Sequence, residues 1–227
     1  MKSISIRLPD HSTVELPVGS TAQDLSERIG PRLAKAAVGA RINGRVQDLT
    51  TPLQDGDTVE ILTFESKDGR DVFRHSASHV MAAAILRVRP NTKLAIGPPI
   101  EDGFYYDIDT DPPITEEDLP AIEAEMERIV KEDAPFVRHE VSKDEALRYF
   151  ESRGDTYKVE LINELQDGAI TYYQHGDFID LCRGPHLPSA GRVKAFKLLS
   201  VAGAYWRGDE RNPMLQRIYG TAFPSQK

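Results

Sequence analysis

Apolar residues change their spacing twice within the first 63 residues, and no other feature limits the fold as tightly. Ile4, Ile6 and Leu8 alternate with polar residues, which predicts a strand with one buried face. Pro9-Asp10-His11-Ser12 supplies a turn, and Val14 and Leu16 resume the alternation, so a hairpin is expected. Thr21 to Ile29 moves to helical spacing, with Ser20 or Thr21 as cap and Gly30-Pro31 as stop. Val38 to Ile42, the Asn43-Gly44 turn and Val46 predict a second hairpin; Asp55-Gly56-Asp57 leads into a last strand, Thr58 to Leu62. Two strands, a helix and further strands make a small β-grasp unit over 1–63 the economical expectation, with 64–70 as a polar linker.

A second unit is expected over 71–227. Asp71 to Val88 predicts a helix whose apolar stripe runs through Val72, Phe73, Val80, Met81, Ala84, Ile85 and Val88, with Pro90 beyond its end. Gly97-Pro98-Pro99 reads as a turn and Gly103 to Ile108 as a strand. Thr115 to Lys131 is amphipathic; Ser142-x-x-Glu145 is a capping box that opens another helix, and Tyr157 to Leu165 is helical in pattern. Ile170 to Gln174 and Phe178 to Cys182 flank Gly176-Asp177 as a hairpin. The mixture places the chain in the α+β class.

Composition excludes several classes. The longest apolar run in the helical part, Val80 to Leu86, is far short of the roughly 20 residues of a membrane span, and Arg7, Asp10 and Glu15 break any signal-peptide pattern. One cysteine, Cys182, leaves no intramolecular disulfide, so a cytoplasmic protein is expected. The net charge of −8 argues against a general nucleic-acid binder. Its distribution is uneven: thirteen acids stand against Arg128 and Lys131 from Glu101 to Asp133, while the last 45 residues are basic. The acidic stretch is expected to face water, and the basic tail is the part that could meet a polyanion.

Two constellations can carry chemistry. His75 and His79 lie four apart on a predicted helix, on one face and opposite the apolar stripe, as the wall of a cleft would. In the second, Phe178, Asp180 and Cys182 share one face of a strand, and Gly184-Pro185 can swing His186 back toward Cys182. Three histidines and a cysteine fit a tetrahedral zinc set, a Cys–His nucleophile pair, or a metal-free pocket that binds substrate and positions water. No phosphate-binding glycine loop and no serine nucleophile elbow is present, which argues against an NTPase or an α/β hydrolase.

The chain resembles the amino-terminal part of bacterial threonyl-tRNA synthetases. The likeness rests on Arg74-His75-Ser76-Ala77-Ser78-His79, Ala95-Ile96-Gly97-Pro98, Gly103-Phe104-Tyr105-Tyr106-Asp107, Tyr157-Lys158-Val159 and Asp180-Leu181-Cys182-Arg183-Gly184-Pro185-His186. It continues through Ala202-Gly203-Ala204-Tyr205-Trp206-Arg207-Gly208-Asp209 to Met214-Leu215-Gln216-Arg217-Ile218-Tyr219-Gly220-Thr221-Ala222. The resemblance implies a TGS-like β-grasp domain, then an α+β editing domain with a mainly antiparallel sheet and packed helices. It also implies hydrolysis of serine mischarged onto threonine tRNA, with tRNA as partner and no cofactor. His75, Lys158 and Asp180 would hold or activate water; His79, Tyr106, Cys182 and His186 would line the serine pocket. Ser76 and Ser78 stand where relatives often carry cysteine or alanine, a change expected to leave activity intact. The ATP and zinc sites of the ligase, and its homodimer contacts, would lie in a catalytic domain beyond this sequence. This stretch is therefore expected not to ligate and is compatible with a monomer. Two other readings stand beside this one. One is a non-enzymatic RNA-binding or regulatory module. The other is a zinc hydrolase of the alanyl-editing type using His75, His79, Cys182 and His186.

Overall fold

The computed structural model describes residues 2–166 and 168–226. The chain divides into two compact units: residues through Phe73 together with Gly184–Pro188, and Arg74–Arg183 together with the residues from Ser189 onward.

In the first unit, β1 (Ser3–Arg7) and β2 (Thr13–Pro17) pair antiparallel, with Ile4 opposite Leu16 and Ile6 opposite Val14. The alternation buries Ile4, Ile6 and Leu16 against Leu25, Ile42, Leu49 and Val59. Helix α1 (Ala22–Ile29) is capped by Thr21 in a reciprocal box with Asp24. Gly30 ends α1 as expected. Pro31 opens a second short helix, α2 (Pro31–Ala36), where its missing N–H is no loss. Strand β3 (Ala37–Ile42) lies between β4 (Arg45–Gln47) and β5 (Val59–Thr63), and a parallel bridge joins Arg7 to Thr58. This is the expected β-grasp order.

The polar stretch expected as linker is partly helix, since α3 spans Lys67–Val88. The Ser66 hydroxyl accepts the Gly69 N–H at 3.0 Å, and Arg41 pairs with both Glu60 and Asp68. A Cβ at Gly69 would fall 1.8 Å from the Thr63 carbonyl oxygen, so glycine allows the helix to start this close to β5. The division between the units falls inside α3.

The second unit contains β6 (Lys93–Leu94), β7 (Pro99–Ile100), β8 (Gly103–Asp109), α4 (Leu119–Glu132) and β9 (Val137–Ser142). These are followed by α5 (Lys143–Ser152), α6 (Thr156–Glu164), β10 (Ala169–His175), β11 (Phe178–Leu181), β12 (Ala195–Tyr205) and β13 (Met214–Phe223). One antiparallel sheet has the order β12-β13-β8-β6, with β7 also on β8; the other has the order β11-β10-β9. Ser142 and Glu145 form the predicted capping box of α5. Ala146, Phe150, Ile162 and Ile170 bury α5 and α6 against β10.

Three expectations change here. Helix α3 has no polar face through its middle, because every residue from Ser76 to Ile85 is buried. The acidic stretch is not wholly solvated: Asp107 is 3% exposed and takes both arms of Arg217, at 2.8 and 2.9 Å, across the β8–β13 pair. The basic tail is largely neutralised in place. Lys197 pairs with Glu123, Arg207 with Glu160 and Glu164, and Arg211 with Asp209. Among the described residues, no helix is long and apolar enough to cross a membrane.

Candidate active site

Helix α3 supplies His75 and His79 one turn apart, with ring centroids 5.0 Å apart and planes at 84°. His79 is 2% exposed, so the cleft-wall expectation understates its burial. The Ser78 hydroxyl lies 2.7 Å from the His75 carbonyl and 2.8 Å from that of Gly97. It ties this turn of α3 to the loop between β6 and β7. Ser76 and Ser78 are both buried.

Three further elements converge on one carboxylate. Asp180 on β11 follows Phe178 by two residues and therefore projects to the same buried face. Its Oδ1 meets the Lys158 Nζ of α6 at 2.8 Å, and its Oδ2 accepts the Tyr106 hydroxyl of β8 at 2.5 Å. Lys158 also donates to the Tyr106 oxygen at 2.9 Å, which closes a three-membered ring of contacts. The His79 Nε2 stands 3.6 Å from the same Asp180 Oδ2, and the Phe178 ring packs edge-on to the His79 ring at 6.0 Å. Lys158, Asp180 and Tyr106 are 3%, 1% and 1% exposed. A buried ammonium and carboxylate must be paired, and here each has the other. Gly97 packs on the Tyr106 ring so closely that a Cβ there would lie 2.1 Å from a ring carbon.

Burial and the adjacent Asp180 carboxylate hold the Tyr106 hydroxyl well above the ordinary tyrosine range, so it remains a donor. Burial pushes His75 down to about 4, against an upward pull from Asp180. At neutral pH its ring is uncharged and offers a lone pair.

The His75 Nε2 lies 3.5 Å from the Cys182 Sγ. Cys182 is fixed by its backbone: its N–H donates to Thr171 O at 3.2 Å, and the Thr171 hydroxyl donates to its carbonyl at 2.7 Å. A groove of about 780 Å³ reaches Cys182. It runs between Leu161 of α6, Leu165 just beyond that helix, Ile170 and Thr171 of β10, and Leu181 to Arg183.

Of the seven residues singled out from sequence, six (His75, His79, Tyr106, Lys158, Asp180 and Cys182) lie in the second unit. The contacts above link Lys158, Tyr106, Asp180 and His79 to one another, and His75 to His79 and Cys182. The seventh, His186, falls in the Gly184–Pro188 segment that groups with the first unit. There it is 1% exposed and donates its N–H to Asp48 Oδ1 at 2.8 Å.

Comparison with known proteins fits this geometry. Residues 4–63 match the TGS domain, and residues 170–219 match the threonyl and alanyl tRNA synthetase second additional domain. A threonine–tRNA ligase of Rubrobacter xylanophilus is 55% identical over 223 residues. The chain is similar to about a third of a threonine–tRNA ligase. That alignment takes in 98% of this chain and 35% of the relative. The ligase of Carboxydothermus hydrogenoformans is 52% identical over 98% of the chain and 35% of its own length. The ligase of Pelobacter propionicus is 54% identical over 100% of the chain and 36% of its length. The chain thus spans about a third of the length of the threonine–tRNA ligases it matches.

Sequence reasoning missed the supporting residues. Phe178 is the exception, since the alternation rule already placed it on the strand face of Asp180. Gly97 and Ser78 were out of reach, because their partners Tyr106 and Gly97 are set by non-local packing.

Proposed function

We propose that this chain is a proofreading esterase that hydrolyses the bond joining serine to threonine tRNA. The Lys158–Tyr106–Asp180 ring beside an uncharged His75 carries the reading. Water attacks the ester carbonyl and gives a proton to the His75 ring. The carbonyl π electrons move onto oxygen, and the oxyanion is met by Lys158. An ammonium has three donors; Asp180 and Tyr106 engage two, which leaves one for the developing charge. Collapse re-forms the carbonyl and breaks the bond to the ribose oxygen, which takes the proton back from His75, and serine and tRNA depart. Asp180 and Tyr106 together fix the direction of the Lys158 ammonium.

Serine is threonine without one methyl group, so a pocket built for threonine cannot exclude it. One such group is worth about 1–3 kcal/mol, or roughly 10–200-fold. A second site that admits serine and rejects threonine supplies the missing discrimination. We assign His79 and Cys182 to its walls, with Tyr106 as a further lining group. Cys182 acts as a wall and not as a nucleophile, because water suffices for an activated ester. tRNA is the partner, and the hydrolysis requires neither ATP nor metal. The units that carry it are an amino-terminal TGS-like domain over 1–63 and an editing domain over 71–227. Separate measurement of serine and threonine release from threonine tRNA tests the reading.

A zinc reading draws on two observations, the first being that the ligand atoms of His75, His79 and Cys182 all lie within 4.8 Å of one another. A separation of 3.5 Å between His75 Nε2 and Cys182 Sγ is also about what two ligands of a tetrahedral zinc would show. Against it, His79 turns its Nε2 toward Asp180, and the Lys158 ammonium already places a cation at the cluster. We therefore favour the metal-free site.

A further inference from the structure

Lys158 sits on a helix that does not hold its own orientation. Helix α6 has nine residues, and the Asp155 side chain before it makes no cap, being paired with Arg153 instead. An isolated helix of this length is marginal, so its placement depends on what packs against it. The residues Tyr157, Glu160, Leu161 and Glu164 recur at three- and four-residue intervals and share one face. Lys158 lies about a quarter turn away from that face.

The turn after β12 engages this face through two side chains. The Arg207 Nε meets Glu160 Oε1 at 3.1 Å, and its Nη1 meets Glu164 Oε1 at 2.7 Å. The Trp206 Nε1 donates to the other Glu160 oxygen at 3.2 Å. The Trp206 ring packs edge-on to Tyr157 at 5.1 Å, and the Arg207 guanidinium lies over the Trp206 ring at 5.1 Å. Trp206 is 4% exposed and shares a core cluster with Tyr157, Ala95 and Leu215.

To make these contacts Arg207 adopts φ 58° and ψ 19°, the left-handed region that disfavours a residue with a Cβ. Such a conformation persists only where its surroundings fix it, and it is a reason to look for a role. Single exposed ion pairs contribute little to stability. Here one guanidinium spans two carboxylates one turn apart and stacks on a buried indole, which fixes the rotation of a helix.

From this geometry we infer that Trp206 and Arg207 form a clamp that sets the rotation of α6 and thereby positions Lys158 against Asp180 and the ester. They are positioning residues and touch no substrate. A side chain lies roughly 5–6 Å from its helix axis, so a turn of about 10° moves its end by about 1 Å. A misplacement of that size can cost about a hundredfold in rate. The inference rests on the deacylase reading for its kinetic consequence, but not for the orientation of Lys158.

The test uses Arg207→Gly, which relieves the backbone conformation while removing the guanidinium, and Glu164→Gln, which alters an exposed side chain. A charge exchange, Arg207→Glu with Glu164→Arg, serves as rescue. Arg207→Gly is expected to melt within a few degrees of the parent while kcat for seryl-ester hydrolysis falls tenfold to a hundredfold and KM changes less than threefold. Glu164→Gln should fall in the same direction by less, and the exchange should recover part of kcat. The second readout is the nitrogen-15 resonance of the Lys158 ammonium, assigned by its loss in Lys158→Met. It should shift or broaden in Arg207→Gly. A parental kcat with an unmoved Lys158 resonance in Arg207→Gly would overturn the clamp, as would a rate loss that only follows the loss of folded protein. If the parent hydrolyses no ester, the deacylase reading fails, and the resonance alone decides the clamp.

Discussion

Lys158 and Asp180 form an ion pair whose side chains are 4% and 2% exposed, with Nζ and Oδ1 2.8 Å apart. They come from α6 and β11, and Tyr106 of β8 bonds to both. Replacing such a pair by apolar residues is often neutral for stability, whereas removing one partner strands a buried charge. A pair kept in this form is therefore better explained by chemistry at the ester than by stability.

Lys158→Met should lower stability by about 3–5 kcal/mol, because Asp180 remains buried without its cation. The double variant Lys158→Met with Asp180→Leu should recover most of that loss. Neither should hydrolyse the seryl ester. Urea denaturation and deacylation of the same samples check both parts. A double variant as active as the parent would remove the pair from the mechanism.

The strands of the first unit and α1 were legible because their apolar residues share a buried face, as Ile4, Ile6 and Leu16 do, whereas α2 buries no residue and was not. The α5 start was legible from Ser142 and Glu145, and the two histidine turns from their spacing. The hairpin β12–β13 was not, since Ser200 to Ala204 is a run of small residues that carries no alternation of size. The start of α3 was hidden because Ser66 caps it from a polar stretch that also suits a linker. Lys158 reads as a solvated helix residue until Asp180, far along the chain, is placed beside it. Asp107 is hidden for the same reason, as its partner is Arg217.

Acid should weaken the fold through His175. It is 3% exposed between the rings of Phe136 and Phe178, at 4.7 and 5.0 Å, and burial lowers it to about 4. Arg87 pushes in the same direction, while Asp177 and Glu132 oppose it. Between about 6.5 and 4 the unfolded chain binds a proton that the folded chain does not. The stability from keeping this ring neutral is complete above about 6.5 and declines as the pH falls toward 4, by roughly 2–4 kcal/mol. His75 shifts in the same direction, so His175→Phe should remove about half of the decline. Urea midpoints at pH 7.5 and 4.5 measure it; an undiminished decline in His175→Phe would contradict the assignment.

Arg217→Met should cost about 3–5 kcal/mol by leaving Asp107 buried and unpaired at the β8–β13 junction. Arg217→Lys should recover only part of this, because one ammonium cannot reproduce both bonds of the planar fork. Thermal denaturation of the two variants gives the comparison, and equal stability of Arg217→Met and parent would show that Asp107 finds another partner.

Chelation should leave deacylation unchanged. Elemental analysis of the purified chain should find less than stoichiometric zinc. Stoichiometric zinc, with activity lost on dialysis against a strong chelator and restored by zinc alone, would establish the metallohydrolase reading in place of the one favoured here.

The central claim is that the second unit releases serine from threonine tRNA and spares threonine. The direct measurement is the single-turnover rate of amino-acid release from seryl- and threonyl-charged threonine tRNA with the intact chain in excess. A pocket that excludes one methyl group should release serine at least about tenfold faster than threonine. Equal rates for the two esters, or a serine rate no higher than spontaneous hydrolysis, would contradict the account.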